Sequence, residues 1–363
     1  MPKVPHIQEI GRVQLQGTSH EYHANQLAFS PNYGLLCCVM INKFLVAPIG
    51  LLLGSKFRKT SGKFLTFPLD SACTRVGTVT LFDTECFIFL CENDFVYFYP
   101  IESLAAGTPK CLLVLNNSEP VASNSHKGTW SFDFSSKNSL LILGSNKPCI
   151  DVYALSSSSE KWSTQKVLKL SQKHNVPDVK VSPCMQFFAS VGIDRKVHVF
   201  DKSNEFQSPA LESFLWSVKW VPLKRNPDRL CDYSLLVTGA YLIYTIAIIE
   251  KDGQPPLLAV KHCHEIGEMN GSRIYLQASV DDFRVVFYVI QPKQRLFMVR
   301  YDEEAEPQIS ILEDFHEQVV GLQAYSRDEV MHVVVLMKSG SLRAYEVDPF
   351  REKFKPITPE PTD

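Results

Sequence analysis

The 363-residue sequence predicts an all-β protein, a single seven-bladed β-propeller, and three observations predict it. Strand-sized apolar stretches recur along the whole chain, separated by short turns rich in Ser, Asp, Asn or Pro. Groups of these stretches repeat at intervals of roughly 40–60 residues, near the ~40–45 that one four-stranded blade occupies. No window of a dozen residues holds the 3.6-residue periodicity of an amphipathic helix between plausible caps.

The units lie near 26–49, 76–99, 130–154, 176–201, 216–248, 274–300 and 319–347. The first, QLAFSPNYGLLCCVMINKFLVAPI, breaks at Ser30-Pro31, and the second, VGTVTLFDTECFIFLCENDFVYFY, has its second turn at Asn93-Asp94. The third begins at Trp130 and turns at Asn146-Lys147. The fourth gives strands at Val179–Val181, Phe187–Val191 and Lys196–Phe200, with turns at Ser182-Pro183 and Gly192-Ile193-Asp194. The fifth is WSVKWVPL, a polar insertion from Lys224, then SLLVTGAYLIYTIAI, two strands joined around Gly239-Ala240. The sixth and seventh follow the same rhythm, and longer loops are expected near 55–65, 105–127, 224–232 and 251–271. The stretch around 7–16 is placed to supply the outer strand of the last blade, which would close the ring and remove its sheet edges. Residues 348–363, with three prolines among the last eight, read as a flexible tail.

Composition narrows the function classes. With 45% hydrophobic and 21% charged residues and a formal net charge of −2, the chain is ordinary globular material with no global field toward nucleic acid or anionic lipid. None of the ten cysteines has the two-residue spacing of a zinc knuckle or redox pair, and MPKVPHIQEIG lacks the apolar core of a secretory signal. A reducing compartment, nucleus or cytoplasm, is expected. The apolar runs 45–54 and 235–249 fall short of the ~20 residues that cross a ~30 Å hydrocarbon core, so no membrane partner is expected.

In the fourth unit His174, Ser190, Asp194 and Phe200 fall where WD40-like blades keep a structural hydrogen-bond network, Phe200 standing where Trp is usual. A turn Asp there accepts from the His ring and from backbone N–H groups. The Ser, His and Asp carry blade spacing, with no glycine motif for an oxyanion hole, so they read as structural. His262 and His264 share a strand face but lack a third ligand at matching spacing, and no metal or cofactor is expected. The densest basic run, SKFRKTSGK at 55–63, is read as an inter-blade loop able to meet phosphate or an acidic surface, and the acidic YDEEAEP at 301–307 as a hairpin tip between blades.

No phosphate loop, dinucleotide fingerprint, nucleophile elbow or catalytic carboxylate pair is present. The expected function is therefore a non-catalytic scaffold that binds other proteins in a multisubunit complex, with Phe57, Arg58, Lys59, Trp130 and Trp216 as partner-binding residues. The alternatives are a nucleic-acid binder using the 55–63 loop, and an enzyme with an axial site near Asp94, Lys147 and Asp194.

Three segments resemble a fungal family of WD-repeat-like proteins described as regulators of ribonucleotide-reductase gene transcription, the likeness covering mainly residues 70–205. They are His174-Asn175-Val176-Pro177 with its blade; Thr129-Trp130-Ser131-Phe132 leading to Leu140–Asn146 and Ile150-Asp151-Val152-Tyr153; and Arg75-Val76-Gly77-Thr78 with Glu92–Val96. The resemblance implies a propeller working in transcription regulation or the DNA-damage response, and a receptor role on a cullin-type ubiquitin ligase. The nearest segment to the box that docks such receptors is Val199-Phe200-Asp201-Lys202-Ser203, with Ser203 in place of the basic residue.

Overall fold

A computed structural model describes residues 6–16, 24–52, 64–118, 128–157, 162–172, 174–201, 204–222, 229–251, 254–266, 273–301 and 306–348. The described chain forms seven four-stranded antiparallel sheets, in six of which the strands pair in sequence order. That order is what short turns between consecutive strands impose. Numbering these sheets as blades in chain order, their first strands are Leu27–Ser30, Cys73–Leu81, Thr129–Ser135, Asp178–Val181, Ser217–Pro222, Arg273–Val280 and Val319–Arg327. Each first strand packs beside that of the next blade, and the seventh returns to the first, so these strands form the inner wall of a closed ring.

The ring is closed by hydrogen bonding between strands far apart in sequence. His6–Gln14 pairs antiparallel with Ser341–Asp348, Gln14 opposite Ser341 and His6 opposite Asp348, and becomes the outer strand of blade 7. Asn25 adds a tie at the same seam: its Oδ1 accepts the N–H groups of Leu27 and Leu322 at 3.1 and 3.0 Å, and its Nδ2 donates to the Leu322 carbonyl at 2.7 Å. The chain is a seven-bladed propeller, as its turn chemistry and spacing predict.

The core is divided among the blade interfaces. Seven apolar clusters each join two neighbouring blades, for example Phe44 and Val46 against Phe87 and Phe89 between blades 1 and 2, or Phe287 and Val289 against Val333 and Val335 between blades 6 and 7. A strand inside a blade has a neighbouring sheet on both faces, which is why Leu35–Met40 and Val285–Gln291 read as unbroken apolar runs rather than alternating ones. Close approach fixes one glycine: a Cβ on Gly144 would stand 2.8 Å from the Val176 carbonyl oxygen of blade 4 and against the Ser131 hydroxyl.

Several loops expected from sequence contain the outer strands. Leu113–Asn116 and Gln254–Glu265 lie within them, and Leu65–Pro68 begins at the edge of one. An outer strand packs on one side only, and Leu113, Val114, Leu115 and Asn116 accordingly alternate buried and exposed. The polar insertion of blade 5 likewise gives way to a strand from Arg229 to Thr238, followed by Leu242–Lys251. A five-residue helix, Ile101–Ala105, buries Ile101 and Leu104 after blade 2's third strand, too short to leave a periodic signal. No helix of the described residues is long and apolar enough to cross a membrane.

Two charged loops sit within blades rather than between them. The basic run 55–63 joins the third strand of blade 1, Lys43–Pro48, to its fourth, Leu65–Pro68, and Phe57, Arg58 and Lys59 lie outside the described residues. The acidic run joins the third and fourth strands of blade 6, Arg295–Arg300 and Gln308–Asp314, with residues 302–305 also outside. In both cases an outer strand of the same blade lies beyond the loop. The tail from residue 349 is outside the described residues as well.

Candidate interaction face

Antiparallel pairing puts the turns between second and third strands on the same face as the connections from one blade to the next. On this connection face, turn side chains cap the start of the following blade. Asp94, in blade 2's turn with φ 64°, is 1% exposed. Its Oδ1 accepts the Gly128 N–H at 3.0 Å and the Thr129 hydroxyl at 3.3 Å, while Lys147 Nζ lies 3.9 Å from Oδ2. Asn117 completes this buried network. Its Nδ2 donates to Thr129 Oγ1 at 3.2 Å, its Oδ1 accepts the Tyr153 hydroxyl at 2.7 Å, and its carbonyl accepts from Lys147. Gln294 does the same work in blade 6, accepting the Val319 N–H at 2.8 Å.

Blade 4 assembles a different set from the one its spacing suggests. Asp194 takes the Lys196 N–H at 3.1 Å, but its Oδ2 faces His198 Nε2 at 2.9 Å, not His174, which is exposed. His198 Nδ1 lies 2.8 Å from Glu205 of the outer strand, so this imidazole ties the turn to the blade's edge. Ser190 lies opposite His198 in the sheet, fully buried, and its hydroxyl has no partner among the described residues. Phe200 is buried between blades 3 and 4, its ring 6.3 Å from that of His198. The physical reason is placement: a histidine four residues after the turn Asp reaches back across the hairpin, while the blade-to-blade connection leaves His174 in solvent. A histidine so soon after the turn Asp was the available signal.

The two tryptophans singled out from sequence both reach this face. Trp130 is half-buried at a bulge between Thr129 and Ser131, beside the Asp94 network. Trp216 immediately precedes blade 5's inner strand, its N–H donating to the Thr238 carbonyl at 2.8 Å. Phe214 and Arg273 stand with Trp216, and Arg195 lies on the same face. Leu215 is fully buried, so the alternation of an extended segment turns its neighbours Phe214 and Trp216 outward, and Phe214 is 51% exposed. The Arg273 guanidinium lies over the indole, 5.6 Å from its centroid. Blade 4's turn meets the same connection through its backbone, the Arg195 carbonyl accepting the Leu211 N–H at 2.8 Å and the Gly192 carbonyl the Leu215 N–H at 3.4 Å, so that the exposed Arg195 stands on this face. The Phe214-Leu215-Trp216 alternation could have been found in the sequence, whereas the arginines come from other blades.

The opposite face carries a cavity of about 540 Å³ at the ends of the inner strands. Arg75, Asp133, Lys180, Lys219, Gln277 and Gln323, from six blades, line it. Asp178 holds Arg75 at 3.2 Å and Lys180 at 3.7 Å and accepts the Val218 N–H at 3.1 Å. Asp133 accepts the Val181 N–H at 2.8 Å, Lys219 pairs with Asp281 at 2.8 Å, and Gln323 donates to the Leu27 carbonyl at 2.7 Å. These groups lace inner strands to one another across blades, which accounts for polar side chains at the axis.

Nucleophiles and metal ligands are sparse among the described residues. Burial pushes the Cys37 and Cys73 thiols well up and those of Cys38 and Cys86 to about 12, and the described cysteines are free. His262 and His264 stack in blade 5's outer strand with centroids 6.3 Å apart, His264 facing Glu306 at 3.4 Å. No group of three or more His, Cys, Asp or Glu side chains is placed to hold a metal ion among the described residues.

No family model matches the chain. A segment of 107 residues, 29% of the chain, is 28% identical to a WD40 repeat-containing protein of Dictyostelium discoideum, and the match spans 16% of that relative's length. A chain in a crystal structure of a mitotic checkpoint complex superposes with a TM-score of 0.66 over 93% of both chains at 14% identity, a likeness of fold alone. The closed ring and its likeness of fold make the chain a seven-bladed β-propeller, part of which is similar to a WD40 repeat-containing protein.

Proposed function

We propose that the protein is a non-catalytic interaction scaffold that holds protein partners within a multisubunit assembly on its connection face. The observation that carries this reading is the exposed Phe214 and Arg273 set about the half-buried Trp216, on a ring whose strands are locked by inter-blade packing. Trp, Tyr and Arg dominate binding energy at protein interfaces, and a rigid support loses little entropy on binding. Against catalysis stands the axial cavity, whose carboxylates are engaged by cations and backbone N–H groups. The resemblance over residues 70–205 supports work in transcription regulation or the DNA-damage response, in nucleus or cytoplasm, and receptor duty on a cullin-type ubiquitin ligase. Affinity purification of the full chain from cells, read by mass spectrometry, tests the scaffold: stable, stoichiometric protein partners are expected. Recovery of the chain alone under gentle, low-salt conditions would sink the reading.

A further inference from the structure

We infer that the partner segment docking on this face is an acidic, extended peptide with an apolar anchor, seated across Phe214, Trp216, Arg195 and Arg273. The inference rests on the scaffold reading and gives its partner a chemistry.

The charge arrangement carries the argument. Arg195 and Arg273 are both exposed, and neither has a carboxylate within salt-bridge distance among the described residues. Other arginines are paired, as in Arg12 with Glu9, Arg75 with Asp178 and Arg295 with Asp314. Glu212 lies on the same connection and is exposed, and it forms no salt bridge with either guanidinium among the described residues. Arg273 lies over the Trp216 indole, Phe214 stands two residues earlier on the connection that meets the Arg195 turn, and the indole N–H is buried with no acceptor among the described residues. A peptide with one aromatic or aliphatic side chain on Phe214 and carboxylates on either side would satisfy both guanidiniums with charge-assisted bonds. A basic or wholly apolar segment would leave them as they are.

The test is a selection of random peptides on the immobilised full chain, counter-selected on the double variant R195E/R273E, with circular dichroism confirming that the exposed substitutions leave the fold intact. Enriched peptides are expected to combine Asp or Glu with Phe, Trp or Leu. Measured by fluorescence anisotropy, their affinity should fall about tenfold or more in the double variant and in Phe214→Ala, and weaken as salt is raised. Selected peptides without acidic bias, affinities unchanged in both variants, or no peptide that separates wild type from the double variant would each overturn the inference. A partner purified from cells that binds the double variant as tightly as wild type would overturn it too, while leaving the scaffold reading intact.

Discussion

At the scale of single residues, stability and titration hang on a few buried polar groups. Asp94 accepts from Gly128 and Thr129 through one oxygen and faces Lys147 with the other, so Asp94→Asn keeps the first acceptor but sets an amide NH2 against the Lys147 ammonium. It should lower the free energy of unfolding in urea by about 2–4 kcal/mol. His332, in blade 7, stacks on Tyr325 at 5.0 Å, and burial holds its pKa below the ordinary 6.5, with Glu346 acting in part the other way. The folded state therefore binds a proton here less readily than the unfolded chain. This contribution is present above the unfolded value and is lost as pH falls through it toward the lowered folded one. Urea midpoints measured from about pH 7 to about pH 5 should fall, and His332→Phe, which keeps the stacking on Tyr325, should flatten part of that slope. Residues of this kind were half-legible in the sequence. Asp94 and Asp194 stood out as turn residues, but that Asp94 would meet Asn117 and Tyr153, or Asp194 would meet His198, depends on how neighbouring strands register.

At the scale of elements, legibility followed burial. Strands with a sheet on both faces, such as Leu35–Met40, announce themselves as apolar runs, while outer strands such as Trp162–Ser171 are polar enough to pass for loops. Glu205–Gln207, three residues long, gives almost no pattern, and its place is set by pairing with His198–Phe200. The first strand shows the energetic side of the same point. Removing His6–Gln14 would bare the edge of Ser341–Asp348 along its length. The truncated protein should melt earlier and self-associate in a concentration-dependent way, which sedimentation velocity would detect. A truncated chain that stayed monomeric with an unchanged melting temperature would show that the outer strand contributes nothing to closure.

At the scale of the whole molecule, the ring makes each blade dependent on two neighbours, since every apolar cluster is shared. An open repeat array can fray from its ends; a closed one has no end from which to fray. Far-ultraviolet and near-ultraviolet circular dichroism should therefore report one coincident thermal transition, and separated transitions would mean that blades unfold independently. The seven-fold repeat was readable because turn chemistry recurs even where blade signatures have decayed, whereas the grouping of Arg195, Phe214, Trp216 and Arg273 was not, because it is assembled across three blades. Closure by the first strand also has a consequence for synthesis. His6–Gln14 leaves the ribosome long before its partner Ser341–Asp348 exists, a wait on the order of tens of seconds at ~5–20 residues per second. Throughout that interval the nascent chain holds this strand unmatched. Gln8, Glu9, Arg12 and Gln14, with Glu9 and Arg12 able to pair at 2.9 Å, suit that segment to remain hydrated until its berth is made.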